Sequence, residues 1–382
     1  MHAFTTLLTF LAFALASVSA APLRRRTCRP HSQIAAASST INGSSVSHVT
    51  STAVATSAQA TSTKVSSTIA PSSSKASSTH PSSSKASSTK ASSSSAPVAT
   101  ADSTSGSSVL KELFPVSHSA FWTTSDALSD ALPLSDATFG VTNLLKALPL
   151  DYVTAPDGKY SLKAFYPEGS YTFTHAVKGG FSFYATGPDS VDLSKAKEAT
   201  LSYSVYFEDG FDFQKGGKIP GFFGGNDFQT AVSCSGGRRD DGCFSTRFMW
   251  RTDGAGELYT YLPPDFDTNK GVCDIPPFST CNDVYGASVG RGSFYFKPGS
   301  RATIGQRVRL NDAGQTNGEL ELFVEGKSIF TVKNLVFRDS DAGRIQGIQM
   351  QTFFGGSDSS YASPKDQSAY FSDFSVAITE TF

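Results

Sequence analysis

The fold class is decided by the stretch Cys243-Phe-Ser-Thr-Arg-Phe-Met-Trp-Arg251, Thr252-Asp-Gly-Ala-Gly256 and Glu257-Leu-Tyr-Thr-Tyr-Leu262. Two runs of alternating residues flank Asp253-Gly254, a dipeptide typical of tight turns, so the stretch predicts a β-hairpin. One face of this hairpin carries the mainly apolar set Phe244, Thr246, Phe248, Trp250, Leu258, Thr260 and Leu262. The opposite face carries Ser245, Arg247, Met249, Arg251, Glu257, Tyr259 and Tyr261. The first face suits a core, and the second gathers chemically active side chains.

The charges of the hairpin predict its register. Pairing Arg251 with Glu257 gives these neighbours across the strands: Arg247 opposite Tyr261, and Met249 opposite Tyr259. One surface would then present a serine, an arginine and two tyrosines together. The alternative is an ordinary solvent-exposed face whose rim carries an Arg–Glu ion pair.

The rest of the C-terminal region has the same strand-like pattern. Apolar and polar residues alternate in Leu201–Phe207, Arg307–Leu310 and Glu319–Val324, and glycine-rich turns separate such runs. One short helix is predicted near Asp136–Leu148. The pattern predicts one all-β domain over residues 109–382, folded as an antiparallel jelly roll or sandwich.

The first 108 residues differ in composition from the rest. The apolar run Leu7–Val18, followed by small residues, predicts a signal peptide over residues 1–20 and a secreted protein, extracellular or bound to a cell wall. Residues 21–108 are dominated by Ser, Thr and Ala, and the segments 71–80 and 81–90 nearly repeat each other. This composition predicts a disordered, O-glycosylated stalk. No later segment is long and apolar enough to predict a membrane helix.

Charge distribution and cysteine spacing argue against two classes of function, nucleic-acid binding and metal binding. All 33 acidic residues lie at or after Asp102, whereas eight basic residues precede it, so the folded region is net negative and nucleic-acid binding is not expected. In an oxidising compartment, proximity favours the disulfides Cys234–Cys243 and Cys273–Cys281, with Cys28 left over. Zinc is the alternative for these four thiols, but the sequence contains no C-x-x-C pair. We therefore expect neither a metal nor a cofactor.

A second segment, Lys215-Gly-Gly-Lys-Ile-Pro-Gly-Phe-Phe-Gly-Gly225, combines two lysines with many glycines. Glycine lets backbone and ligand approach closely, so this segment is a candidate for ligand contact. Its Phe-Phe-Gly-Gly ending recurs at 353–356, where Gln349 and Gln351 precede it.

Together these segments resemble polysaccharide lyase family 14, the alginate and glucuronan lyases. The resemblance rests on Gly216-Gly-Lys-Ile-Pro-Gly221, Ser245-x-Arg247 and Tyr259-x-Tyr261, and it covers most of residues 150–382. It implies a concanavalin-like jelly roll whose concave sheet binds the glycan. The catalytic residues that it implies are Lys218, Ser245, Arg247, Tyr259 and Tyr261. Further substrate contacts are predicted for Lys215, Arg251, Gln349 and Gln351.

These residue types suit β-elimination on a 1,4-linked uronic-acid polysaccharide. An ionised carboxylate resists further negative charge, so Arg247 or Lys218 must neutralise it before the C5 proton becomes acidic, while Ser245 orients its oxygens. Tyr259 or Tyr261 would then transfer protons, with Lys218 as an alternative base. The expected partner is an acidic polysaccharide bound by a monomer. Leader and stalk resemble those of fungal proteins, and habitat alone then favours glucuronan over alginate.

Two other functions are consistent with the sequence. Glu319-x-Glu321 could supply the paired carboxylates of a glycosidase, although the exposed face of an edge hairpin explains them more simply. A non-catalytic, lectin-like wall-binding module on a glycosylated stalk is the second alternative. A lyase would release an unsaturated sugar that absorbs ultraviolet light, whereas binding alone would not.

Overall fold

The structure, a computed structural model, describes residues 103–382. The predicted signal peptide, nearly all of the predicted stalk and Cys28 lie outside the described residues. The α-helices are α1 (Ser103–Leu113), α2 (Asp136–Phe139) and α3 (Phe228–Ala231). Short 3-10 helices cover Leu193–Lys195, Thr252–Gly254, Asp267–Asp274 and Ser359–Tyr361. The strands are β1 (Ala120–Thr123), β2 (Val141–Thr142), β3 (Asp151–Thr154), β4 (Tyr160–Tyr166), β5 (Phe181–Ala185), β6 (Ala196–Phe207), β7 (Gly216–Gly225), β8 (Cys243–Arg251), β9 (Ala255–Tyr261), β10 (Ala287–Tyr295), β11 (Arg301–Arg309), β12 (Gly318–Val324), β13 (Lys327–Leu335), β14 (Arg344–Phe354) and β15 (Gln367–Thr381).

The strands form two antiparallel sheets, which confirms the predicted all-β sandwich. The eight-stranded sheet has the order β13-β12-β11-β6-β15-β4-β3, with β1 also paired to β15. The seven-stranded sheet has the order β10-β9-β8-β7-β14-β5-β2. The predicted hairpin, β8 and β9, therefore lies inside the second sheet and is flanked by β7 on one side and β10 on the other.

Aromatic side chains fill the space between the two sheets. The Tyr203 ring of β6 lies edge-on to the Phe248 ring of β8, with centroids 5.7 Å apart, and the Tyr203 hydroxyl donates to the carbonyl of Pro220 at 2.9 Å. Trp250 is fully buried against Phe207 at 5.5 Å. Truncating such a ring would cost about 3–5 kcal/mol. The inward side chains of β7 and β8 are thus fixed, and their outward side chains share one surface.

The hairpin register differs from the prediction by two residues. The strands are connected by Thr252–Gly254, and Asp253 and Gly254 both have positive φ, 59° and 78°. This tighter connection gives the following pairs: Ser245 with Tyr261, Arg247 with Tyr259, and Met249 with Glu257. A shift by two leaves every side chain on its predicted face, because side chains alternate with period two.

Two helices also differ from the prediction. The helix expected over Asp136–Leu148 ends at Phe139, because Gly140 adopts the left-handed conformation that terminates it. Helix α1 begins before Val109, where we predicted the folded domain to start. It is anchored by the buried Leu113 and by a 3.4 Å hydrogen bond from Thr303 to Glu112.

Both predicted disulfides are confirmed. Cys234 is bonded to Cys243, and Cys273 is bonded to Cys281. Within residues 103–382, no group of three or more His, Cys, Asp or Glu side chains is arranged to hold a metal ion. None of the helices in this part of the chain has the length and apolar character needed to span a membrane.

Candidate active site

The outward face of the seven-stranded sheet brings most of the predicted site residues together. We call this surface, formed by outward side chains of β7, β8, β9 and β14, the polar face. Its members are Lys218, Arg247, Met249, Arg251, Glu257, Tyr259, Gln349 and Gln351. These residues come from segments as distant as 218 and 351, and only strand pairing makes them neighbours.

A bulge in β7 aims Lys218 onto the polar face. The register shifts between Ile219 and Gly221, so that Lys218 pairs with Met249 and Gly221 pairs with Arg247. Proline at position 220 suits this irregularity because it has no N–H to donate to the ladder. The Lys218 Nζ lies 4.5 Å from the ring centroid of Tyr259.

The glycines of β7 serve packing rather than ligand approach. A Cβ on Gly217 would lie 2.0 Å from the Trp250 ring, and one on Gly221 would lie 2.0 Å from the carbonyl oxygen of Thr246. The suggestion that these glycines let a ligand approach is therefore wrong at both positions, because other parts of the protein occupy the space.

Arg247 is a buried cation that has no carboxylate partner in the part of the chain that the structure describes. It is 1% exposed, and its Nη1 donates to Gln351 Oε1 at 3.2 Å. Gln349 donates to the same oxygen at 2.8 Å, and Gln351 Nε2 donates to Ser182 at 3.1 Å. Among the described residues Arg247 forms no ion pair, and its Nε has no hydrogen-bond partner. The guanidinium is held in place by a neutral amide network with its charge uncompensated.

Arg307, on the other sheet, shows the contrast. Its guanidinium binds the carboxylates of Glu198, Glu319 and Glu321 at 2.5–2.8 Å. Glu319 and Glu321 therefore take part in an ion-pair network on the eight-stranded sheet, whereas the polar face belongs to the seven-stranded sheet. This arrangement removes the paired-carboxylate glycosidase alternative.

Burial and charge shift the two titratable neighbours in opposite directions. Burial lowers the pKa of Lys218 well below its ordinary value, and the positive charges of Arg247 and Arg251 lower it further, against an opposing effect of Glu257. Burial raises the pKa of Tyr259, although the two arginines act in the opposite sense. Relative to the same groups in water, the site therefore favours the uncharged form of Lys218 and the protonated form of Tyr259.

Ser245 and Tyr261 lie on the same face but under a covering loop. We call residues 226–242, which connect β7 to β8, the first disulfide loop. Ser245 donates to the carbonyl of Cys234 at 2.9 Å, and the Gly237 amide donates to the Tyr261 hydroxyl at 3.1 Å. Ser245 is fully buried and Tyr261 is 2% exposed. The Tyr259 hydroxyl, by contrast, has no hydrogen-bond partner among residues 103–382, which leaves it available to a ligand.

The remaining predicted contacts divide into two groups. Arg251 joins the polar face through Glu257, whose Oε1 lies 2.7 Å from its Nη2. Lys215 lies apart, where its Nζ donates to Ser360 at 2.6 Å.

Arg291 was missed by sequence reasoning. It reaches Glu257 Oε2 at 2.8 Å from β10, and no local motif marks that long-range contact.

Comparisons with known proteins found one matching family and several similar solved structures. The Polysaccharide lyase 14 family model matches residues 154–374. The crystal structure of a marine PL-14 alginate lyase from Aplysia kurodai is 36% identical, with a TM-score of 0.54 over 60% of this chain and 87% of that chain. Alginate lyase vAL-1 from Chlorella virus is 28% identical, with a TM-score of 0.53 over 63% of this chain and 93% of that one. No curated protein matched the chain.

Proposed function

The chain belongs to the polysaccharide lyase 14 family, and from this premise we propose that it cleaves a 1,4-linked uronic-acid polysaccharide, alginate or glucuronan, by β-elimination. The observation that carries the proposal is the buried guanidinium of Arg247, which forms no ion pair with any of the described residues. A buried cation is costly unless an anion compensates it, and a uronate carboxylate is such an anion. The leader sequence adds the proposal that this enzyme acts outside the cell.

Arg247 and Gln351 would together receive the substrate carboxylate. The guanidinium donates charge-assisted hydrogen bonds to the carboxylate oxygens, which stabilises the negative charge that develops when C5 loses its proton. Gln349 and Ser182 hold Gln351 in place, so the receiving groups are oriented before the substrate arrives. Both glutamines were predicted to contact the substrate. In this proposal Gln351 contacts the carboxylate, and Gln349 orients Gln351.

Lys218 would act as the general base and Tyr259 as the general acid. The uncharged Nζ of Lys218 takes the C5 proton, a C4–C5 double bond forms, and the C4–O4 bond breaks. The Tyr259 hydroxyl gives its proton to the departing O4. Opposite pKa shifts in two adjacent groups are the expected pattern for such a division of roles. Ser245 and Tyr261 would position the first disulfide loop rather than touch the sugar.

A panel of substrates tests the reaction class. We expect the purified protein to produce an ultraviolet-absorbing unsaturated sugar from alginate or glucuronan, and little from pectate. The measurement is the absorbance increase over time, with mass spectrometry of the products. Hydrolysis products without a double bond, or binding without any product, would contradict the lyase proposal and favour the lectin-like alternative.

A further inference from the structure

We propose a second, distal binding site beside the polar face, on β10 and the loop before it, in which Arg291, Phe278 and Tyr295 hold a further uronate residue of the polysaccharide. This inference rests on the proposed function, because the site extends the substrate-binding surface beyond the polar face. It concerns residues on β10 and on the loop that contains the Cys273–Cys281 disulfide.

The site begins at a buried carboxylate shared by two arginines. Glu257 is fully buried, with Arg251 2.7 Å from one carboxylate oxygen and Arg291 2.8 Å from the other. Ser288 donates to the same carboxylate. Two guanidinium groups on one carboxylate leave this part of the polar face with a net positive charge, which complements a polyanion.

Both arginines keep a donor free. Arg251 uses Nε and Nη2 on Glu257, while Arg291 uses Nε on Glu257 and Nη2 on Ser288. The Nη1 group of each has no hydrogen-bond partner within the described chain. The Arg291 side chain is 31% exposed, so its free donor can reach a ligand in solvent. A carboxylate is the group that such a donor binds most strongly.

One exposed aromatic ring, Phe278, lies beside Arg291, and a second, Tyr295, lies close to the next residue, since a Cβ on Gly292 would be 3.2 Å from the Tyr295 hydroxyl. Phe278 is 49% exposed and Tyr295 is 58% exposed. The Arg291 guanidinium lies 5.0 Å from the Phe278 ring centroid. Exposed aromatic rings next to charged groups mark binding surfaces, and the C–H face of a pyranose ring packs well on such rings.

The backbone holds Phe278 firmly in this position. The Arg291 amide donates to the Phe278 carbonyl at 2.7 Å, and Thr280 and Ser288 exchange two backbone hydrogen bonds of 2.9 Å. The Cys273–Cys281 disulfide closes the same loop. Because these contacts already fix the loop that carries Phe278, binding of a sugar costs little conformational entropy of the protein.

The distal site is continuous with the catalytic groups. Lys218 pairs with Met249, and Met249 pairs with Glu257, so a row runs across β7, β8 and β9 and reaches β10 through Arg291. Three strand spacings correspond to about 14 Å. That distance is a span of a few sugar residues, so one chain can occupy both places at once.

The test compares long and short substrates. For Phe278→Ala and Arg291→Gln, we expect the ratio of kcat/KM on polymer to kcat/KM on trisaccharide to fall about tenfold, because only the polymer reaches the distal site. The substrate is whichever of alginate and glucuronan the enzyme cleaves faster. In a Tyr259→Phe background, calorimetry should show polymer affinity about tenfold weaker for Phe278→Ala.

Phe165→Ala is the matched control, because Phe165 is 44% exposed beside Lys163 on the other sheet. It should leave both readouts as in wild type. An unchanged ratio and affinity in Phe278→Ala, which removes an exposed ring and spares the core, would overturn the distal site. Absence of any unsaturated product would contradict the proposed function instead, and the calorimetric comparison would still decide the distal site.

Discussion

Replacing Arg247 by alanine is expected to lower kcat by roughly 10²–10³-fold or more, because the carboxylate of the substrate then keeps its full negative charge while C5 is deprotonated. Arg247 contributes the only fully buried cation of the polar face among the described residues; its partner Gln351 is neutral, as is Gln349, which donates to Gln351. No nearby group can replace its charge without moving. The measurement is the rate of double-bond formation at saturating substrate.

Arg344→Ala is the control for this loss. Arg344 belongs to the same sheet but contacts the carbonyls of Asp341 and Gly343 outside the polar face, so its removal should leave turnover unchanged. Near-ultraviolet circular dichroism should show native packing around Trp250 in both variants. An Arg247→Ala enzyme that is folded and turns over at the wild-type rate would contradict the assigned role.

Lys218→Met is expected to lower turnover by roughly 10²–10⁴-fold, the range for loss of a general base. Methionine keeps the apolar stem of the side chain but cannot accept a proton.

The wild-type rate should rise with pH as Lys218 loses its proton. Because burial and the neighbouring arginines lower the pKa of Lys218, this rise should occur well below the range of an ordinary lysine.

Arg251→Gln tests the sign of this dependence. Removing a positive charge near Lys218 favours the protonated amine, so the pKa of Lys218 rises and the ascending limb of the pH–rate profile moves to higher pH. The same limb should be absent from the residual activity of Lys218→Met. A shift to lower pH in Arg251→Gln, or an intact limb in Lys218→Met, would exclude Lys218 as the base.

Sequence periodicity was sufficient for the faces of the hairpin but not for its register. Alternation places Arg247 and Tyr259 outward and Trp250 inward, whatever the register, because a shift of two residues preserves the face. The register depends on the positive φ of both Asp253 and Gly254. This backbone conformation makes the turn between β8 and β9 shorter than predicted. The two disulfides were predictable because each pair is close in sequence and the predicted leader favours an oxidising compartment.

Long-range partners could not be read from the sequence. Gln351 reaches Arg247 only because β14 pairs with β7, and Arg291 reaches Glu257 only because β10 pairs with β9. Sequence periodicity does not predict the path of a loop either. Two tyrosines two positions apart look equivalent in the sequence, yet the Gly237 amide binds the Tyr261 hydroxyl, while the Tyr259 hydroxyl has no partner within residues 103–382.

The most direct measurement of the proposed mechanism is the rate of double-bond formation by Tyr259→Phe, compared with Tyr261→Phe and Thr260→Ala on the same uronan. Each tyrosine variant loses one hydroxyl and keeps its ring, while Thr260 is buried on the core side of the hairpin. If Tyr259 is the general acid, its variant should be slower by roughly 10²–10⁴-fold while still binding polymer. Tyr261→Phe should keep most of its turnover, and Thr260→Ala should turn over like wild type. A Tyr259→Phe enzyme as fast as wild type, with the loss appearing in Tyr261→Phe instead, would contradict the assignment of the proton donor.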